Sequence, residues 1–142
     1  MSTQQVYVED LQPGDELPVV VRNASRVQLF LYSAATWNPH RIHYDPDYAQ
    51  LEGHPDIIVH GPLQGAWLSQ YVTDWAGPAG RMTGLRWQNR ASALPERDYE
   101  FHGRVRAVEG STVTLDVWEQ TPDGQVLMPG EADVELPSRA AR

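Results

Sequence analysis

The chain of 142 residues contains neither cysteine nor lysine. Without cysteine there are no disulfides, no thiolate metal site and no cysteine nucleophile. Without lysine there is no Schiff base and no phosphate-loop lysine; all eleven basic residues are arginine. Positive charge is scarce, and the formal net charge of −8 argues against nucleic acid or an anionic membrane surface as partner. No apolar run reaches membrane-spanning length, nothing at the N-terminus reads as a signal peptide, and no serine sits in a Gly-x-Ser-x-Gly elbow. The expected setting is cytoplasmic. Five histidines and nineteen carboxylates remain for chemistry.

The longest apolar helical pattern covers residues 57–75. Leu63, Trp67, Tyr71 and Trp75 recur every four residues with Leu68 and Val72 alongside, which gives a wide apolar stripe. Gly61 is expected as N-cap and Pro62 as the first helical residue. Gly77 and Pro78 are expected to end the helix. Residues 16–22 read as a short strand. A first helix is expected from Arg26, capped by Ser25, with Val27, Phe30, Leu31 and Ala34 on one face, ending near Trp37 because Pro39 disfavours a helical Asn38. A His-rich loop follows, with one helical turn over 46–50. Four strands come after the long helix, at 82–91, 98–108, 112–120 and 125–136, the last three joined by short turns. Early helices and late strands predict an α+β fold, an antiparallel sheet packed on one long helix, in a single domain over 1–142. Residues 1–14 are expected to be an extended lead-in and 138–142 a loose tail.

The stretch Ser33-Ala34-Ala35-Thr36-Trp37-Asn38-Pro39-His40-Arg41-Ile42-His43-Tyr44-Asp45 resembles the MaoC-like, type 2 enoyl-thioester hydratase family. The branch it resembles contains mesaconyl-CoA hydratases and type 2 hydroxyacyl-thioester dehydratases. Val59-His60-Gly61-Pro62-Leu63 is similar to the family's second signature, and Gly130-Glu131-Ala132 followed by Val134 and Leu136-Pro137 to its closing strand. Tyr71-Val72-Thr73-Asp74-Trp75-Ala76-Gly77-Pro78 resembles the small subunit of actinobacterial heteromeric steroid enoyl-CoA hydratases. The resemblance implies a hotdog fold, a sheet wrapped around one central helix. It also implies reversible addition of water across C2–C3 of an enoyl-CoA to give the (R)-3-hydroxyacyl-CoA.

The same resemblance places the catalytic histidine at His43. Imidazole titrates near pH ~6.5 and can serve as base or acid at neutral pH. Read without the resemblance, His43 is a loop histidine bonded to Asp45 or Tyr44. The commoner family motif pairs the histidine with an aspartate. Counting back five residues from His43 gives Asn38, and aligning Asn38-Pro39 with the motif's Asn-Pro gives Thr36, so the paired carboxylate is missing. Asn38 can orient a water or a carbonyl but cannot act as a base, which leaves His43 or an assisting Asp45 to move the proton.

At the start of the long helix, Gly61 and Leu63 are candidate donors to the thioester oxygen, through free N–H groups and the positive dipole end. His60 shapes the entrance or bonds backbone there. Arg86 and Arg90, with Arg104, are candidates for CoA phosphates. The histidine spacings do not read as a metal site, and no organic cofactor is expected beyond the CoA of the substrate.

The exposed edge of a lone sheet and the resemblance together imply a homodimer or a hetero-oligomer with a second MaoC-like subunit. Two alternatives stand beside the hydratase. One is a hotdog acyl-CoA thioesterase, which would want a carboxylate where Gln64 stands. The other is a non-catalytic subunit that shapes a partner's active site.

Overall fold

A computed structural model describes residues 4–141. Its centre is helix α3, Gly61–Ala76, which buries Leu63, Trp67, Tyr71, Leu68 and Val72. This is the stripe read from the sequence; Trp75 is partly buried against the same core. The start is shifted by one residue from the expectation. His60 is the N-cap, with extended backbone, and Gly61 and Pro62 occupy the first two helical positions. The cap makes no side-chain hydrogen bond to the helix, because its ring is engaged elsewhere. At the other end Gly77 adopts φ 78°, where glycine carries no steric penalty. Gln5 holds that end from outside: its Nε2 donates to the Ala76 carbonyl at 2.8 Å and its Oε1 accepts from the Ala79 amide at 2.8 Å.

Five strands form one antiparallel sheet: β1 (Val20–Asn23), β2 (Arg81–Trp87), β3 (Asp98–Glu109), β4 (Thr112–Gln120) and β5 (Val126–Glu135), in the order β1-β3-β4-β5-β2. Alternation on β4 is strict, with Val113, Leu115, Val117 and Glu119 buried. With α3 in the core this is the hotdog arrangement and the α+β class expected. Contact between helix and sheet is close at Gly65, where an added Cβ would overlap the Trp87 indole. That steric limit accounts for a glycine inside a helix, where it costs about 1 kcal/mol relative to alanine. No helix among the described residues is long and apolar enough to cross a membrane.

Several expectations are corrected. The first strand begins only at Val20; Glu16 makes an isolated bridge to Arg104. Helix α1, Arg26–Ala35, buries Leu29 and Ser33 and turns Val27, Phe30 and Leu31 outward. The predicted apolar face is therefore its exposed face, since a helix packed at an edge can bury a narrow stripe and leave the wider one uncovered. Strand β2 ends at Trp87, not Ala91, although Arg90 and Ala91 still donate to the Leu127 carbonyl. Of the stretch expected as a loose tail, the described residues are tethered: Arg139 forms a two-pronged ion pair with Asp10 at 2.6 Å and lies over the Tyr7 ring, and Ser138 bonds Glu9. The lead-in likewise contains a 3-10 turn, Val8–Asp10. Residues 1–3 and 142 of these two stretches lie outside the described residues.

Glu119 breaks the polarity of the core. It is fully buried, and neither carboxylate oxygen has a hydrogen-bond partner among the described residues. Across the sheet it faces Phe101 and Met128. Burial disfavours its charged form and pushes its pKa up to about 8. Between the unfolded value, about 4.3, and this folded value, the folded chain holds a proton that the unfolded chain has released. Glu119 therefore lowers stability progressively as pH rises through that window. Glu119→Gln is expected to raise the melting temperature relative to the parent more at pH 7.5 than at pH 4.5. A difference that does not change with pH, followed by circular dichroism, would contradict a neutral buried acid.

Candidate active site

Two segments distant in sequence meet at the start of α3. Helix α1 is capped by Ser25, whose Oγ accepts from the Gln28 amide. After it, Trp37 takes a left-handed conformation, φ 54°, and is 89% exposed. The chain then folds back, with the Asn38 amide donating to the Ser33 carbonyl at 2.9 Å. A 3-10 turn, Arg41–His43, follows. It is joined to the segment before α3 by the Ile58 amide, which donates to the Ile42 carbonyl at 3.0 Å. That bond sets the register that brings His43 and His60 together.

Their rings stack, with centroids 3.7 Å apart and planes 18° from parallel. His43 is 7% exposed. Its Nδ1 lies 2.8 Å from the Ile58 carbonyl. A carbonyl only accepts, so Nδ1 carries the proton and the lone pair sits on Nε2. Burial is the main cause that moves the His43 pKa below its ordinary 6.5; the Ile58 bond opposes this, and His40 and His54 add to it. His60 is fully buried, with Nε2 2.8 Å from Ser33 Oγ and Nδ1 without a partner among the described residues. Burial, and then the neighbouring His43, push His60 down to about 4. Both rings are neutral at pH 7.

The first turn of α3 begins beside them. The amides of Gly61 and Leu63 have no acceptor four residues back within the helix, and they stand at its positive end. Gln64 is buried and donates to the carbonyls of Val59 and His60. Asn38 is half-buried; its Oδ1 accepts from the His40 amide at 3.3 Å, and its Nδ2 has no acceptor among the described residues.

Other candidates are placed differently. Asp45 is the N-cap of α2, Pro46–Leu51, accepting from the Tyr48 amide, and forms an ion pair with Arg41 at 2.6 Å. The Arg41 guanidinium holds its carboxyl below the usual range. Among the described residues it makes no hydrogen bond to His43, and its contacts are those of the helix cap and of the Arg41 pair. Arg86 is exposed and ion-paired with Glu131, which Arg106 also contacts. Arg104 pairs with Glu16. The Arg90 side chain donates to Gln88 and, of the three, has no carboxylate partner among the described residues. Arg86 and Arg90 border one surface depression with Trp87 and Gln88, which neither histidine of the stacked pair lines.

Sequence reasoning passed over Ser33 and Asn89. Ser33 lies four residues after Leu29, on the stripe that α1 buries. A polar residue on that stripe was the available signal. Asn89 lies against the helix start, its Oδ1 3.1 Å from where a Cβ on Gly61 would stand; nothing in the sequence marks it. Beside α3 runs a groove of about 860 Å³ lined by Val6, Leu11, Val20, Trp67, Tyr71 and Trp75. Among the described residues no group of three or more histidine or carboxylate side chains is placed to hold a metal ion.

Residues 8–94 match the family described as hydroxyacyl-thioester dehydratase type 2. The chain is 56% identical over 109 residues to the mesaconyl-C(4)-CoA hydratase of Chloroflexus aurantiacus, covering 76% of this chain and 36% of that protein. It is 35% identical over 81 residues to the 3-oxo-4,17-pregnadiene-20-carboxyl-CoA hydratase beta subunit of Mycobacterium tuberculosis, covering 54% of this chain and 59% of that protein. The chain thus spans from about a third to three fifths of the length of these two relatives. Its fold matches a chain of the ChsH1–ChsH2 complex from Mycobacterium tuberculosis with TM-score 0.80 and 23% identity, over 89% of this chain and 98% of that one.

Because Asp45 acts as a cap, Asp45→Ala is expected to cost about 1 kcal/mol of stability and to leave the titration of the His43 imidazole, followed by NMR, unchanged.

Proposed function

From the membership of this chain in the hydroxyacyl-thioester dehydratase type 2 family, we propose that it is a hydratase subunit that adds water reversibly across C2–C3 of an enoyl-CoA. The observation that carries this reading is His43: a neutral imidazole whose Nδ1–H is held by the Ile58 carbonyl and whose Nε2 lone pair is unengaged, beside the free amides of a helix start.

In the proposed reaction His43 Nε2 takes a proton from water as its oxygen bonds to C3. The π electrons move onto the thioester oxygen, which the amides of Gly61 and Leu63 stabilise as an enolate. The enolate then collapses, and C2 takes the proton back from the imidazolium. Asn38 orients the water through Nδ2. The product is a 3-hydroxyacyl-CoA, proposed as the R isomer. Arg90 is the better placed of the two arginine candidates to meet a CoA phosphate. The groove walled by Trp67, Tyr71 and Trp75 supports a bulky acyl group, and the name of the beta-subunit relative supports a steroidal one.

We propose further that the chain works with a second MaoC-like domain, as a homodimer or in a hetero-oligomer. The names of the beta-subunit relative and of the ChsH1–ChsH2 complex support the second form. The thioesterase reading loses support at Gln64, which is buried, carries no charge and spends its amide on Val59 and His60. The pocket-shaping reading draws on one observation, that among the described residues no carboxylate hydrogen-bonds His43.

The test is incubation of the purified chain, alone and with its co-purified partner, with a short enoyl-CoA and a steroid enoyl-CoA. Loss of the conjugated-thioester absorbance with a mass gain of one water is the expected result; release of free CoA would instead establish hydrolysis. His43→Ala is expected to lower kcat by about a hundredfold or more, and unchanged activity of the assembled complex would move the chain to the pocket-shaping role. Since the base must be unprotonated and burial lowers its pKa, kcat/KM should fall as pH drops, with an inflection below 6.5.

A further inference from the structure

We propose that Ser33 is a positioning residue: its hydroxyl holds His60 in the single ring orientation that stacks on His43, while its carbonyl anchors the backbone of Asn38. Both contacts are direct, 2.8 Å from Oγ to His60 Nε2 and 2.9 Å from the Asn38 amide to the Ser33 carbonyl. One buried residue on α1 thereby reaches two of the groups assigned to the site.

The His43 ring needs this support. Its bond to Ile58 fixes Nδ1 but leaves the ring free to turn about that contact. The face of His60, 3.7 Å away, fixes the plane. His60 in turn has one polar side-chain contact, at Ser33; its Nδ1 has no partner among the described residues. Tyr32 lies against it with centroids 4.7 Å apart, tilted by 59°, and supplies packing without a hydrogen bond.

The contact also selects a tautomer. If Ser33 donated to Nε2, the proton of His60 would sit on Nδ1 as a buried donor with no acceptor, which native structures rarely tolerate. If Nε2–H donates to Ser33 Oγ, the ring leaves only a lone pair unpaired, and the donor without an acceptor among the described residues is the Ser33 hydroxyl, whose proton can rotate where a ring N–H cannot. The second arrangement is the one assigned here. It puts a neutral ring, and not a carboxylate, against His43. His43 is therefore held in place without a negative charge to raise its basicity, and Nε2 keeps its lone pair for the reacting water. The other titratable groups facing His43 are His40, edge-on with centroids 6.2 Å apart, and the more distant His54.

This proposal rests on the hydratase reading only for its kinetic arm. The test uses the full chain labelled with 15N-histidine. In the parent protein, long-range nitrogen–proton correlation should show His43 as the Nδ1–H tautomer and His60 as Nε2–H, with His60 not titrating between pH 5 and pH 8. Ser33→Ala should move the His43 midpoint upward, toward the ordinary 6.5, by about half a pH unit or more, as the loosened ring gains access to water. It should lower kcat about tenfold with KM changed less than twofold and carry the acid limb of the pH profile with it. Ser33→Thr, which keeps the hydroxyl, should restore all three. A parent His60 found as Nδ1–H or titrating with His43, or a folded Ser33→Ala variant with an unchanged His43 midpoint, overturns the proposal. If Ser33→Ala does not fold, the tautomers of the parent decide. A parent protein with the expected tautomers and no turnover would remove the hydratase reading and leave the positioning role standing.

Discussion

The chain depends on one constraint: a sixteen-residue helix must lie so close to a curled sheet that water is excluded along its buried face. Gly65 shows how tight the contact is, since the Trp87 ring occupies the space a methyl group would need. Exclusion of water is apolar in its cause but polar in its consequences. Each titratable group trapped at the contact is driven toward its neutral form. His60 and His43 lose affinity for a proton and Glu119 gains it. The same packing that stabilises α3 therefore favours uncharged imidazoles beside the helix start.

Among the described residues the His43 imidazole has no carboxylate partner of the kind the commoner family motif supplies. A carboxylate would fix the ring and stabilise the imidazolium at once. In this chain those two tasks are separated. Orientation comes from the Ile58 carbonyl and the face of His60, and among the described residues no carboxylate hydrogen-bonds either ring. Asp45, the acidic residue nearest in sequence, is spent on the α2 cap and on Arg41. The developing negative charge of an enolate would instead meet backbone dipoles at α3, which need no counter-ion and no reorganisation.

The outward surface tells a complementary story. Arg86 and Arg106 share Glu131, and Arg106 also pairs with Asp116, so the outer face of the sheet carries paired charges, worth little individually in water. Helix α1 does the opposite and presents Val27, Phe30 and Leu31 to solvent. Its polar Ser33 points inward, because the hydrogen bond to His60 compensates for burying a hydroxyl.

By itself the sequence determined the long helix, its stop at Gly77, the late strands and the α+β class, because these follow from local periodicity and from residues with narrow backbone preferences, while the hotdog arrangement came from the family resemblance. It also singled out His43, through a run of neighbours resembling a known family. Only the tertiary structure decided which polar groups meet. The stack of His43 on His60 joins positions seventeen residues apart through a backbone bond between Ile42 and Ile58, and no periodicity encodes it. The roles of Ser33 and Asn89 were set by the same long-range placement, Ser33 on the buried stripe of α1 and bonded to His60, Asn89 against Gly61; the cap at Asp45 is local and was legible in the sequence. A side chain's type limits the chemistry it can do, whereas its partner and its exclusion from water, which set its charge, are properties of the folded whole.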